Sequence, residues 1–293
     1  MHRAVSAHLA IVPLAALLVA AAVPPARDFL KMENEWRAKR EHNLTKPDGW
    51  LAVAGLFWLH DGVMSIGSDP QSDVVLPPGA PKRLGTLRMR KGVVTLEQAG
   101  HTTVIRPDID EHPDTVQVGS LMLTVIKRMD RTGIRMRDPN AATRRNFTGC
   151  KWFPASEKWR VRAKWVAYPT PKKIRITNIL GMTDEEPSPG YAEFAVNGRT
   201  VRLEPVTEDD TGELSFMFKD ATSGNTTYAQ GRFLDTDKPK DGYVTLDFNQ
   251  TYNPPCAFIA FATCPLPPKQ NTLTVAIEAG EKKYGNHPGA GGR

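Results

Sequence analysis

Residues 160–166 read Arg160-Val161-Arg162-Ala163-Lys164-Trp165-Val166. Basic and apolar side chains alternate with a period of two, which sends the charges to one face of a pleated strand and the apolar groups to the other. That is the pattern of a half-exposed antiparallel strand. Downstream, short runs of the same kind recur at Lys173–Ile176, Tyr191–Val196, Thr200–Pro205, Leu214–Phe218, Thr226–Phe233, Tyr243–Asp247 and Thr272–Glu278. Upstream they lie at Trp50–Leu59, Gly62–Ile66, Val74–Leu76, Thr86–Met89, Val93–Leu96, Thr102–Ile105, Val116–Val118, Leu121–Ile126 and Gly133–Met136. Gly, Pro, Asp and Asn separate them. Asn197-Gly198, between two such runs, is the strongest hairpin signal of the chain. The expected fold class is all-β, a mainly antiparallel sandwich or barrel.

One segment departs from this pattern. In residues 27–46, Phe29, Met32 and Trp36 stand at helical spacing among charges, which predicts one N-terminal amphipathic helix. Asp28 suits its positive end, and Lys46-Pro47-Asp48-Gly49 supplies turn chemistry to stop it. Before the helix, residues 1–22 combine a basic start (His2, Arg3), an apolar run too short to span a bilayer, and Ala20-Ala21-Ala22. That is the layout of a secretory signal peptide. The expected organisation is a signal peptide at 1–22, the helix at 27–46, and a β-subdomain at 47–130. A joint near Met129–Gly133 leads to a second β-subdomain at 131–284, and 285–293 forms a tail. The expected location is exported, periplasmic or extracellular, with no membrane span.

The chain has 293 residues, 40% of them hydrophobic and 24% charged, enough to bury a core and too apolar for a disordered chain. The formal charge of +6 comes from scattered basic residues. The densest group, Arg135, Arg137, Arg144, Arg145, Lys151, Lys158, Arg160, Arg162 and Lys164, reads as a solvated face. No nucleic-acid partner is expected. The histidines cluster nowhere: none falls between His112 and His287. This leaves a histidine-based triad or transition-metal site without its base or ligands. No metal and no cofactor are expected. Trp50, Phe57, Trp58, Trp152, Phe153, Trp159 and Trp165 read mainly as core, although an exposed pair would stack on a sugar ring.

The densest chemistry lies between Asp220 and Tyr284. Asp247, Asn249, Tyr252 and Asn253 run straight into Pro254-Pro255, whose fixed φ holds the backbone extended. Cys256 and Cys264 bracket an apolar run and precede Pro265-Leu266-Pro267-Pro268. This run, with Asn271, Ala279-Gly280-Glu281-Lys282 and Tyr284, resembles the domain-of-unknown-function family numbered 1684, a group of mostly exported microbial proteins. Pro47-Asp48-Gly49-Trp50-Leu51, Arg137-Asp138, Thr227-Tyr228 and Gly231-Arg232-Phe233-Leu234 extend the likeness. The resemblance implies candidate residues and no reaction. A fainter likeness, Ile66-Gly67-Ser68 with Asp73-Val74-Val75-Leu76-Pro77, is similar to the opening of a forkhead-associated domain. It lacks that family's phosphate-reading side chains.

The candidate ligand-binding residues are therefore Arg137, Asp138, Tyr228, Arg232, Asp247, Asn249, Tyr252, Asn253 and Glu281. Arginine offers a planar fork to an anion, and the amides and tyrosine fix orientation. The expectation is a binding module for a small molecule, glycan or peptide. Two alternatives stand beside it: a hydrolase using Asp247 or Glu281 as acid or base, and a motif that only braces the fold. In an oxidising compartment Cys256 and Cys264 are expected to pair as a disulfide, leaving Cys150 buried as a small apolar residue.

Overall fold

The computed structural model describes residues 26–207 and 212–285. The expected signal peptide and all but the first residue of the expected tail lie outside them. Among the described residues no helix is long and apolar enough to cross a membrane.

The described residues open with helix α1 (Ala26–Thr45). Nine strands follow: β1 (Val53–Trp58), β2 (Gly62–Gly67), β3 (Val74–Val75), β4 (Gly85–Arg90), β5 (Val93–Gln98), β6 (His101–Ile105), β7 (Thr115–Val118), β8 (Leu121–Arg128) and β9 (Arg131–Arg137). After a short α2 (Ala142–Arg145) come β10 (Arg160–Thr177), β11 (Thr183–Val196), β12 (Arg199–Leu203), β13 (Leu214–Phe218), β14 (Arg232–Thr236) and β15 (Tyr243–Asp247). The described strands form four open sheets, ordered β3-β2-β4-β5-β6, β1-β9-β8-β7, β12-β11-β10-β15 and β13-β14. All pairings are antiparallel except β2–β3. The molecule is mainly β with one N-terminal helix, as the alternation implies, and its sheets do not close into a barrel.

Alternation places the apolar rows. Met64, Ile66, Leu87 and Val94 of one sheet share a core with Leu123, Val125, Ile134 and Met136 of the next. In the second half, Ala163, Ala192, Phe194, Phe216, Phe218, Leu246 and Phe248 form another core. The predicted hairpin is present. Asn197 and Gly198 both take positive φ, 49° and 76°, as the tight turn between β11 and β12 requires.

Three expectations need correction. Met129 and Asp130 are the turn of a hairpin in which Arg128 faces Arg131, so the chain does not leave its sheet there. The run Thr226–Phe233 contributes only Arg232 and Phe233 to a strand, because Asp220–Gly231 is a series of turns. The run Thr272–Glu278 forms no strand. Side chains bond the backbone in both places: Ser223 Oγ accepts the Asp220 amide at 3.1 Å, and Asp220 Oδ2 accepts the Ile277 amide at 2.6 Å. Asn271 accepts the Glu204 amide at 2.9 Å and donates to the Glu204 and Met217 carbonyls at 2.7 and 2.9 Å.

A further apolar cluster joins Leu44 of α1, Leu51 after it, and Tyr228, Cys256, Phe258, Ile259 and Cys264 of the C-terminal segment. It clasps the helix to both halves of the molecule and positions the groove described below.

Candidate functional site

Helix α1 turns Glu33, Arg37, Arg40 and Glu41 toward the C-terminal motif, as residues three, four, seven and eight apart share one face. Arg37 donates to the Phe153 carbonyl at 3.0 Å and lies 4.9 Å from the Trp152 ring centroid. Arg40 donates through Nε to Glu281 Oε1 at 3.0 Å and through Nη2 to the Asn253 carbonyl at 2.8 Å. Its guanidinium also stacks 4.7 Å over Tyr252. Glu41 accepts the Cys150 amide at 3.0 Å and the Trp152 indole at 3.2 Å.

Most of the sequence-predicted residues lie in the interior of this seam. Arg232 is fully enclosed. It donates to the Ile277 carbonyl at 2.9 Å, to Thr251 Oγ1 at 3.2 Å, to the Ala279 carbonyl, and to Asp220 Oδ2 at 3.4 Å. Burial brings its pKa down to about 10 against the pull of Asp220 and Glu281. Asn249 bonds both ways to the Ser156 backbone, accepting at 2.9 Å and donating at 3.0 Å. Asn253 donates its side chain to the Lys282 carbonyl at 2.8 Å, and its own amide goes to Glu281 Oε2 at 2.8 Å. Burial pushes the Glu281 carboxyl above its ordinary range, and Arg40 opposes that shift. Tyr228 donates to the Cys256 carbonyl at 3.2 Å.

Asp247 ends β15 and caps the turn that follows. Its Oδ1 accepts the Asn249 amide at 3.1 Å and the Asn249 side chain at 2.8 Å, and Arg160 lies 3.6 Å from Oδ2. Glu33 meets it from the helix, carboxyl to carboxyl. Glu33 Oε2 and Asp247 Oδ2 are both buried with no other hydrogen-bond donor. Burial first, then the charge of Asp247, raise the Glu33 pKa to about 7.

Arg137 and Asp138 stand apart from this seam, at the end of β9. Arg137 reaches Thr124 Oγ1 at 3.5 Å, and Asp138 bonds the Asn140 amide at 2.8 Å in a local turn.

Tyr252 is the member of the predicted set that lines open space. A groove of about 630 Å³ runs between α1, the short turn Trp50–Ala52 that leads into β1, the end of β8, β14 and the C-terminal segment. Trp36, Trp50, Phe233 and Tyr252 give it aromatic walls, and Lys39, Arg40, Arg128 and Asp235 give it polar ones. The Tyr252 hydroxyl donates to Asp235 Oδ2 at 2.6 Å. Arg128 is held by Asp108 at 2.8 Å. Trp36, Trp50 and Arg128 escaped sequence reasoning because they come from three distant segments, and nothing local marks them as neighbours. Among the described residues, no group of three or more His, Cys, Asp or Glu side chains is placed to hold a metal ion.

The expected disulfide is absent: Cys150, Cys256 and Cys264 are all free thiols. Cys256 and Cys264 do meet, as the loop between them predicts, but through hydrogen bonds. Cys264 Sγ accepts the Cys256 amide at 3.2 Å, and the Tyr228 hydroxyl lies 3.6 Å from Cys256 Sγ. The bond between the two thiols, followed by burial, holds Cys264 protonated well above the ordinary thiol range.

The family model for the protein of unknown function DUF1684 matches residues 145–282. It leaves the forkhead-associated likeness around Ile66–Pro77 without support. The solution NMR structure of an uncharacterized protein of Haloarcula marismortui is 30% identical, covering 49% of this chain and 81% of that one, with a TM-score of 0.42. No curated protein matches.

Proposed function

The chain belongs to the DUF1684 family of proteins of unknown function, and from that premise we propose that it is a ligand-binding module acting outside the cytoplasm. The ligand site is the groove between α1, the end of β8 and the C-terminal segment. One observation carries the reading. Trp36, Trp50, Phe233 and Tyr252 gather from four separate segments around a single space of about 630 Å³, within the range of small-molecule sites. Apolar walls with a few placed polar groups are the usual composition of such sites. The leader-like residues 1–22 support the extracytoplasmic setting.

The C-terminal motif then has a supporting role. Asn249, Asn253, Glu281 and Arg232 spend their polar atoms on backbone and on α1, and so fix the chain on which Tyr252 stands. The hydrolase reading needs two titratable groups converging on one cleft. Asp247 and Glu281 are instead engaged separately, one with Glu33 and Asn249, the other with Arg40 and Asn253. A small-molecule screen by ligand-observed NMR tests the proposal. Hits should lose binding in Trp36→Ala, while Asp247→Asn should lower thermal stability and leave binding intact. Hits that bind Trp36→Ala and wild type equally would remove the groove from consideration.

A further inference from the structure

The charged side chains that line the groove are Lys39, Arg40, Arg128 and Asp235. Arg40 is paired with Glu281 at 3.0 Å and Arg128 with Asp108 at 2.8 Å. Neither of those carboxylates lines the groove, so both arginines are neutralised without using its space. Lys39 and Asp235 remain. Among the described residues neither has an ion-pair partner. The one positive and one negative charge left on the lining cancel. A ligand with a net charge of either sign is therefore drawn to one of the two and repelled by the other.

Asp235 is a fixed acceptor. Its Oδ1 accepts the Ser215 hydroxyl at 2.9 Å and its Oδ2 the Tyr252 hydroxyl at 2.6 Å. An ionised carboxylate offers about four lone-pair sites, so these two bonds orient it and leave room for further hydroxyl donors. Donors line the same space. Lys39 brings an ammonium, and Arg128 gives single bonds to Asp108, Thr263 and the Lys127 carbonyl out of the five N–H groups of a guanidinium. Asn43 and Thr263 add neutral groups that donate and accept. Trp36, Trp50, Phe233 and Tyr252 supply the aromatic surface between them. A purely apolar ring filling this groove would strip water from Asp235 and Lys39 and return no hydrogen bond, which is costly. A pyranose suits both kinds of wall. Its rim of hydroxyls donates and accepts, and the C–H groups of its ring faces pack on aromatic faces, whose π-cloud is negative.

Resting on the groove reading above, we propose that the ligand is a neutral saccharide, a short chain of pyranose rings. Its hydroxyls donate to Asp235 and accept from Lys39 and Arg128, and its ring faces lie against the groove's aromatic side chains.

The test titrates the full chain with three neutral trisaccharides, cellotriose, maltotriose and triacetylchitotriose, followed by saturation-transfer NMR. Two charged trisaccharides, trigalacturonate and the free-amine form of chitotriose, probe the charge balance, and indole and free tryptophan serve as comparators that are not sugars. At least one neutral trisaccharide should bind, more tightly than either charged one, with saturation strongest at its ring C–H protons. Asp235→Asn keeps the shape of the acceptor and removes its charge, and should weaken that sugar about tenfold. Trp36→Ala should weaken it by roughly the same factor. Should a variant fail to fold, the ranking of the probes on the unmodified protein decides alone. Sugar binding unchanged in both variants would place the sugar elsewhere and overturn the proposal. Tighter binding of a charged trisaccharide than of every neutral one would also overturn it and leave the groove reading standing. So would binding of indole or tryptophan that Trp36→Ala abolishes, with no sugar bound. Failure of every probe to bind would overturn the saccharide and count against the groove as well.

Discussion

Arg232 and Glu33 show how differently two buried charges can be managed. Arg232 is surrounded by acceptors, so removing it takes a partner from Asp220 and from the Ile277, Ala279 and Glu281 carbonyls at once. Arg232→Met should lower the unfolding free energy by about 3–5 kcal/mol, measured by urea denaturation. Glu33 is the opposite case, since its neighbour Asp247 is a like charge. In the folded chain Glu33 keeps its proton up to about pH 7, whereas in an unfolded chain it ionises near 4.3. Between those values the folded state binds more protons, so stability falls as pH rises, by up to roughly 1.4 kcal/mol per pH unit. The loss is complete above about pH 7. Glu33→Gln should flatten this dependence and stabilise the protein at pH 8, because the amide carries no charge against Asp247 and offers it a donor. Melting curves from pH 4 to 8 that fall equally steeply in wild type and variant would refute the raised Glu33 pKa.

At the scale of elements, the close approach of the Phe248–Gln250 turn to the C-terminal strand-like segment depends on Gly280. Its φ is +74°, and a Cβ there would lie 1.9 Å from Thr251 Oγ1 and 2.5 Å from the Thr251 carbonyl oxygen. Gly280→Ala combines backbone strain with a backbone clash and should cost at least about 2 kcal/mol. By contrast Gly198, which also has positive φ, has open space around its Cβ. Gly198→Ala should cost only about 1 kcal/mol, the strain of the turn alone. Comparing the two in one denaturation series separates conformation from contact. The hairpin at Gly198 was legible from Asn-Gly between alternating runs, because turn chemistry is local. Asp220–Gly231 and Thr272–Glu278 were not, because side chains of Ser223, Asp220 and Arg232 bond their backbone there. A two-residue period cannot register that substitution.

For the whole molecule, the free thiols give a direct check on the clasp between halves. Titration of the unfolded, unreduced protein should find three sulfhydryls, and the folded protein should react slowly, since Cys256 and Cys264 are buried. A count of one would restore the bridge between Cys256 and Cys264. The amino-acid order by itself determined the β class, the N-terminal helix, the tight turn at Asn197-Gly198 and the family, because alternation, helical spacing and turn residues act over a few positions. Only the tertiary structure decided which polar residues face space. Arg135 and Arg232 both alternate with apolar neighbours on strands. One is ringed by acceptors and the other stacks on Trp50 with Nε and Nη2 buried without an acceptor, because different distant segments pack over them. Burial and hydrogen-bond satisfaction belong to those packed surroundings, and no local pattern encodes them.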